Sequence, residues 1–85
     1  MAYRIFLRPA AVRDLNSLTR DIRQRIENGI SRLADDPRTS GSKKLTGFEN
    51  EWRLRVRAYR LLYVIDDSAK CVTIARVAHR REAYR

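Results

Sequence analysis

Three arginines alternate with large apolar residues near the middle of the chain, where residues 52–57 read WRLRVR. Successive side chains of a β-strand point to opposite faces, so the alternation predicts a strand that packs its apolar side and presents Arg53, Arg55 and Arg57 together on the other. The planar guanidinium group binds phosphate or carboxylate through two parallel hydrogen bonds. The segment therefore predicts an anion-binding surface carried by a strand.

The overall charge points to the same chemistry. The 85 residues contain 19 Lys+Arg and 10 Asp+Glu, for a net charge of +9, and 16 of the 19 bases are arginine. Residues 43–85 hold eleven of these bases against five acids. This excess favours a nucleic acid or an acidic protein as partner. The length and a hydrophobic content of 44% predict a single domain, residues 1–85, with a small core.

Several other chemistries lack the residues that they need. One His and one Cys cannot form a zinc site, no acidic cluster would hold magnesium, and no glycine-rich phosphate loop occurs, so we expect no metal or other cofactor. Cys71 lies in the β-rich segment CVTIARV and is expected to be a core cysteine. No segment approaches the ~20 apolar residues of a membrane span, and the N-terminus lacks a signal-peptide core. We therefore expect a cytoplasmic protein that does not associate with membranes.

Two helices are predicted between residues 9 and 36. Pro9 suits the first turn of a helix, and Val12, Leu15 and Leu18 recur at i, i+3 and i+6 as one apolar stripe through 10–18. After a break at 19–21, Asp21 and Gln24 resemble a capping box, and the helix is expected to stop at 35–37, which reads DDP. The buried face of the second helix is predicted to consist of Ile22, Ile26, Ile30 and Leu33.

Four strands are predicted around these helices, separated by a polar loop at 37–42 and turns near Ala58 and at 66–70. They are Tyr3–Leu7, the arginine strand that begins at Trp52, Tyr59–Ile65 and Cys71–Val77. The order β-α-α-β-β-β predicts an α+β fold. An N-terminal strand and an antiparallel pair of helices would then pack on a mostly antiparallel four-stranded sheet.

Two segments carry a resemblance to a known family. They are KKLTGFENEWRLRVRAYRLLYVIDD at 43–67 and VAHRREAYR at 77–85. With them, nearly the whole chain resembles a RelE-type toxin of the RelE/ParE superfamily, the toxin half of bacterial and archaeal toxin–antitoxin pairs. The resemblance implies a RelE/ParE-like fold and a metal-independent endoribonuclease. Such an enzyme cleaves mRNA in the ribosomal decoding site, inhibits translation and is neutralised by its cognate antitoxin.

The resemblance also implies a site. Arg60, Arg80 and Tyr84 match functional residues of the family in type, whereas Arg53 and Arg55 stand where the best-studied branch has lysines. The spacing from Arg80 to Tyr84 is shorter here than in that branch. With the residues singled out by charge and alternation, the candidate catalytic residues are Arg55, Arg60, His79, Arg80 and Tyr84, and the candidate RNA-binding residues are Lys43, Lys44, Arg53 and Arg57.

The chemistry of RNA cleavage assigns a role to each type of residue. Without a metal, the 2′-hydroxyl must attack the adjacent phosphorus, which requires a base, cations for the charged phosphorane and an acid for the leaving oxygen. Arg60 and Arg80 are expected to hold the scissile phosphate. An arginine is a poor base because the pKa of its guanidinium lies above ~12. Histidine titrates near neutrality, so His79 is a candidate base, beside Tyr84.

Some alternatives remain open. His79 is equally compatible with a plain strand-end histidine, and Glu49 and Glu51 are further candidates for proton transfer. A ParE-like inhibitor of DNA gyrase, or an inactive module that only binds an antitoxin, would have the same fold. The expected partners are an acidic RelB-like antitoxin that folds on binding, the ribosome with its mRNA, and operator DNA through the antitoxin complex only.

Overall fold

A computed structural model describes residues 3–45 and 50–79, which form one sheet and two helices. The elements in chain order are β1 Arg4–Leu7, α1 Pro9–Asn16, α2 Arg20–Asp35, β2 Ser42–Lys44, β3 Glu51–Val56, β4 Tyr59–Asp66 and β5 Cys71–His79. The strand order is β1-β5-β4-β3-β2, and β1 runs parallel to β5 while the other neighbours are antiparallel. The predicted α+β fold is confirmed, with five strands where four were expected.

The additional strand is β2, a polar segment of three residues. Ser42, Lys43 and Lys44 pair with Leu54, Arg53 and Trp52 of β3. Nothing in the sequence SKK favours a strand, because the segment has neither apolar alternation nor β-branched residues. The ladder of β3 supplies the hydrogen bonds instead, so β2 is set by tertiary pairing.

The helices follow the predicted order but differ in two local details. The α2 N-cap is Thr19, whose Oγ1 accepts a hydrogen bond from the Ile22 backbone N–H at 3.4 Å. The predicted capping box at Asp21 is therefore wrong, since Asp21 already lies in the first turn. In α1, Ala11 and Leu15 are buried whereas Val12 is 40% exposed, so the buried stripe includes Ala11 and not the predicted Val12. The end of α2 at Asp35 agrees with the prediction.

Both helices pack on one face of the sheet and enclose the core. Gly29 allows α2 to lie directly against the sheet, because a Cβ there would stand 3.1 Å from Val56 Cγ2 and 3.4 Å from Leu61 Cδ1. No helix among residues 3–45 and 50–79 is long and apolar enough to cross a membrane. The buried core consists of Ala11, Leu15, Ile26, Leu33, Leu54, Leu61, Tyr63, Ile65, Val72, Ile74 and Val77.

Polar contacts fix the loop that follows α2. The Arg38 guanidinium donates two hydrogen bonds to the Asp67 carboxylate, at 3.2 and 2.9 Å, and the Tyr3 hydroxyl donates a third at 2.7 Å. Arg38 also lies over the Trp52 ring, 5.3 Å from its centroid. The buried Tyr63 hydroxyl donates to the Pro37 carbonyl at 2.7 Å. The loop is therefore attached both to the core and to the β4–β5 turn.

Candidate nucleic-acid interface

The sheet face opposite the helices, called the open face below, carries alternate side chains of β3. Leu54 is fully buried under α2, whereas Arg53 is partly exposed and Arg55 exposed. Arg57 does not continue this alternation. It lies in the β3–β4 turn with a positive φ of 57°, a conformation that few non-glycine residues adopt. The prediction of three arginines on one strand face is therefore correct for Arg53 and Arg55 and wrong for Arg57.

The register of the sheet brings four cationic residues together. Lys43 of β2 lies opposite Arg53, and Arg55 lies opposite Arg60 of β4. Directly opposed residues of antiparallel strands share a face, with Cβ atoms about 4.5–5.5 Å apart. We call Lys43, Arg53, Arg55 and Arg60 the basic cluster. Like charges in opposed positions repel each other, so a bound anion would relieve an unfavourable interaction.

Arg60 differs from the rest of the cluster in its burial. Arg60 is only 6% exposed, whereas Lys43 and Arg55 are exposed. A guanidinium remains charged when it is buried, and its attraction for an anion is stronger where water is excluded. Arg60 is thus the member of the cluster whose charge is least screened by water.

His79 is not brought together with the basic cluster. It ends β5 opposite Tyr59, and the two rings meet edge to face with centroids 5.3 Å apart. The preceding residue, Ala78, is the one that lies opposite Arg60. Alternation therefore assigns His79 to the helix-covered face, and its role as a base stays a prediction.

The other predicted residues have separate positions. Lys44 lies opposite Trp52, so alternation places it on the face away from the basic cluster, while Glu51 lies on the same face as the cluster, opposite Val64. Arg80 and Tyr84 lie outside the described residues, as does Glu49. Cys71 is in β5 as expected, but it is only partly buried, and its register partner is Arg4 on the open face.

One contact between a helix and the sheet could not be identified from the sequence. Arg76 of β5 forms an ion pair with Asp14 of α1, 62 residues earlier, a pairing that no local pattern reveals. Among residues 3–45 and 50–79, no group of three or more His, Cys, Asp or Glu is placed to hold a metal ion. The basic cluster enables the described part of the site to bind anions.

Fold and charge together define a small α+β protein with a cationic sheet face, and sequence comparison gives its family. Residues 5–84 match the family model described as ParE toxin of type II toxin-antitoxin system, parDE. The chain is 34% identical over 86 residues to Toxin RelG of Mycobacterium tuberculosis, covering 100% of this chain and 99% of the relative. The chain belongs to this family, as a type II toxin of the RelE/ParE superfamily, which confirms the resemblance.

Solved structures share the fold. The RelE-RelB complex of Pyrococcus horikoshii matches with a TM-score of 0.84 and 25% identity, over 94% of this chain and 97% of that one. The toxin-antitoxin complex RelBE2 of M. tuberculosis matches with a TM-score of 0.79 and 34% identity, over 94% and 100%. Free RelE of E. coli, as a mutant, matches with a TM-score of 0.83 at 22% identity, over 99% and 90%, a likeness of fold alone.

Proposed function

We propose that this toxin is a metal-independent endoribonuclease that cleaves mRNA in the ribosomal decoding site and thereby inhibits translation. The observation that carries the proposal is the basic cluster, in which Arg55 lies directly opposite the buried Arg60 on the open sheet face. A row of guanidinium groups fits a phosphodiester chain better than it fits an isolated charge, because each group can bind a phosphate through two hydrogen bonds.

The proposed reaction needs no group from outside the RNA and the protein. The 2′-oxygen forms a bond to the adjacent phosphorus as its proton passes to a base, and the bond from phosphorus to the 5′-oxygen breaks as that oxygen takes a proton. The products are a 2′,3′-cyclic phosphate and a 5′-hydroxyl. Arg60 and Arg55 stabilise the extra charge of the phosphorane, and Arg53 with Lys43 holds the neighbouring phosphates.

The lysines and the turn arginine have a less direct role in this proposal. Lys44, on the other face, contributes long-range attraction to ribosomal RNA that weakens as salt is added. Arg57, at the tip of the β3–β4 turn, binds a backbone phosphate at the border of the basic cluster.

Proton transfer is assigned to His79 or Tyr84 together with Arg80, the residues of the last segment. The pH dependence of the cleavage rate separates the two candidates. If His79 is the base, His79→Asn removes the acidic limb of the profile; if Tyr84 is the base, Tyr84→Phe removes the activity while His79→Asn leaves the profile intact.

The proposed partner is an acidic RelB-like antitoxin that folds on the toxin. The matches to RelE–RelB complexes and the net charge of +9 support it. Acidic side chains of such a segment would neutralise the basic cluster and exclude mRNA. Contact with operator DNA would then occur only through the antitoxin complex.

A second function is favoured by one observation. The family model that matches residues 5–84 is that of ParE toxins, which makes inhibition of DNA gyrase the alternative. Toxicity with intact mRNA, accompanied by loss of DNA supercoiling by gyrase, would support it. Tight antitoxin binding without growth arrest would support an inactive module.

Primer extension on a defined mRNA tests the proposal. The purified toxin is added to a reconstituted translation system with and without ribosomes, beside Arg80→Ala and Tyr84→Phe. We expect cuts that require ribosomes and that fade in both variants. Intact mRNA at a dose that arrests growth would overturn the nuclease assignment.

A further inference from the structure

Phe6 is an exposed aromatic residue in the middle of an edge strand. Phe6 is 49% exposed, although large aromatic side chains usually contribute to a core. The Arg4 guanidinium lies over the Phe6 ring, 5.8 Å from its centroid. An exposed ring beside a cation is the arrangement on which single-stranded nucleic acids stack their bases.

The register places Phe6 on the same sheet face as the basic cluster. Phe6 lies beside Thr73 of β5, and Thr73 lies opposite Val64 of β4. Val64 follows Arg60 by four residues along the same strand, so the two side chains share a face. Four residues along and two strands across separate Phe6 from Arg60 by roughly 16 Å.

The surface between Phe6 and the basic cluster combines apolar area with positive charge, the two properties that binding of RNA bases and phosphates requires. Leu62 and Val64, both partly exposed, provide apolar area in its centre. Among the described strand residues that the register assigns to this face, two, Glu51 and Asp66, are acidic and six are cationic. The cationic residues are Arg4, Lys43, Arg53, Arg55, Arg60 and Arg76, the last of which is paired with Asp14. A sheet face with an exposed aromatic residue and excess positive charge is a known solution for binding bases and phosphates together.

We propose that Phe6, supported by Arg4, stacks on a base of the substrate RNA a few nucleotides from the scissile phosphate. This inference rests on the proposed ribonuclease function and extends its site to the far edge of the sheet. Stacking tolerates any base, because every base has a π face. Phe6 therefore contributes to the affinity for RNA and to the position of the RNA along the site, and does not contribute to sequence specificity. The net positive charge of the face favours RNA over an apolar protein segment as the occupant.

The test is a binding titration with the full chain and a non-cleavable RNA. The probe is a labelled single-stranded oligoadenylate of about ten nucleotides with 2′-O-methyl sugars, compared with an abasic oligomer of the same length. The variants are Phe6→Ala, Phe6→Tyr and Arg55→Ala, with Val12→Ala as the control for an exposed apolar residue on α1.

We expect Phe6→Ala to weaken oligoadenylate binding by about fivefold or more, the range of one base–aromatic stack, while Phe6→Tyr and Val12→Ala stay near wild type. On the abasic oligomer, Phe6→Ala should equal wild type. Equal affinity of Phe6→Ala and wild type for oligoadenylate, with Arg55→Ala weakened, would overturn the stacking role alone. An equal loss on both oligomers would also overturn it. No binding of either oligomer by the wild type would overturn the stacking role as well, whereas the proposed function stands or falls with the ribosome-dependent cuts in primer extension.

Discussion

Asp14 of α1 and Arg76 of β5 form a two-pronged ion pair that joins the first helix to the last strand. Arg76 Nε and Nη2 donate to the Asp14 carboxylate at 2.7 and 3.1 Å, and the Val77 backbone N–H donates to the same group at 2.9 Å. The contact lies directly after the irregularity where β5 passes Leu62 and Tyr63. It therefore fixes the part of β5 that leads to His79 and to the residues that follow.

Replacing Asp14 should destabilise the fold. Asp14→Ala leaves the partly buried Val77 N–H without this acceptor, so we expect a loss of about 1–3 kcal/mol in the free energy of unfolding. Asp14→Asn retains an acceptor and should lose less. As a control, Glu27→Ala removes the half-exposed Arg23–Glu27 pair, a helix pair four residues apart, and should change stability by at most about 0.5 kcal/mol. Equal losses for Asp14→Ala and Glu27→Ala in urea unfolding would contradict this role.

The Arg38–Asp67 contact should make stability depend on acid pH. Hydrogen bonds from Arg38 and then Tyr3 lower the pKa of Asp67 to about 2. A carboxylate whose pKa is lower in the folded state contributes its full stabilisation when the pH is above its pKa in the unfolded chain, ~3.9. This stabilisation is lost as the pH falls toward the pKa of the folded state. The free energy of unfolding, measured from pH 7 to pH 2, should thus decline below pH ~4. This decline should be smaller in Asp67→Asn and in Arg38→Ala than in the wild type. An unchanged decline in both variants would contradict the assignment.

The close approach of α2 to the sheet should not tolerate a branched side chain at Gly29. A Cβ there already stands 3.1 Å from Val56 Cγ2, so Gly29→Val should destabilise the protein by about 1–3 kcal/mol through overpacking. Val56→Ala should restore part of this loss in the double variant. Ser31→Val, at an exposed position of the same helix, should shift stability by less than about 0.5 kcal/mol. Thermal unfolding that ranks the two valine variants alike would refute the packing argument.

The elements that sequence periodicity could predict are those stabilised by their own apolar pattern. The end of α2 at Asp35 and the alternation of β3 follow from residues within each segment. The β2 strand and the Asp14–Arg76 pair depend on partners distant in sequence, so no local pattern indicates them. The N-cap is Thr19 and not Asp21, and since both residue types suit that position, residue type alone does not distinguish them.

The same division applies to the candidate site. The charge of the arginine strand was evident, but the opposition of Arg55 to Arg60 depends on the tight β3–β4 turn, in which Arg57 adopts a positive φ. His79 is adjacent to the predicted catalytic residues in sequence, yet alternation along β5 turns it toward Tyr59. The exposure of Phe6 was not predicted, because an apolar residue in a strand is ordinarily a core residue.

Single-turnover cleavage of mRNA on purified, programmed ribosomes tests the central claim most directly. Arg55→Ala removes one charge from the basic cluster, and Arg25→Ala removes one from the exposed surface of α2, where Arg25 pairs only loosely with Asp21 at 3.6 Å. We predict that Arg55→Ala slows cleavage by about 100-fold or more, whereas Arg25→Ala stays within about twofold of wild type. Equal cleavage rates for the two variants would contradict a catalytic role for the basic cluster.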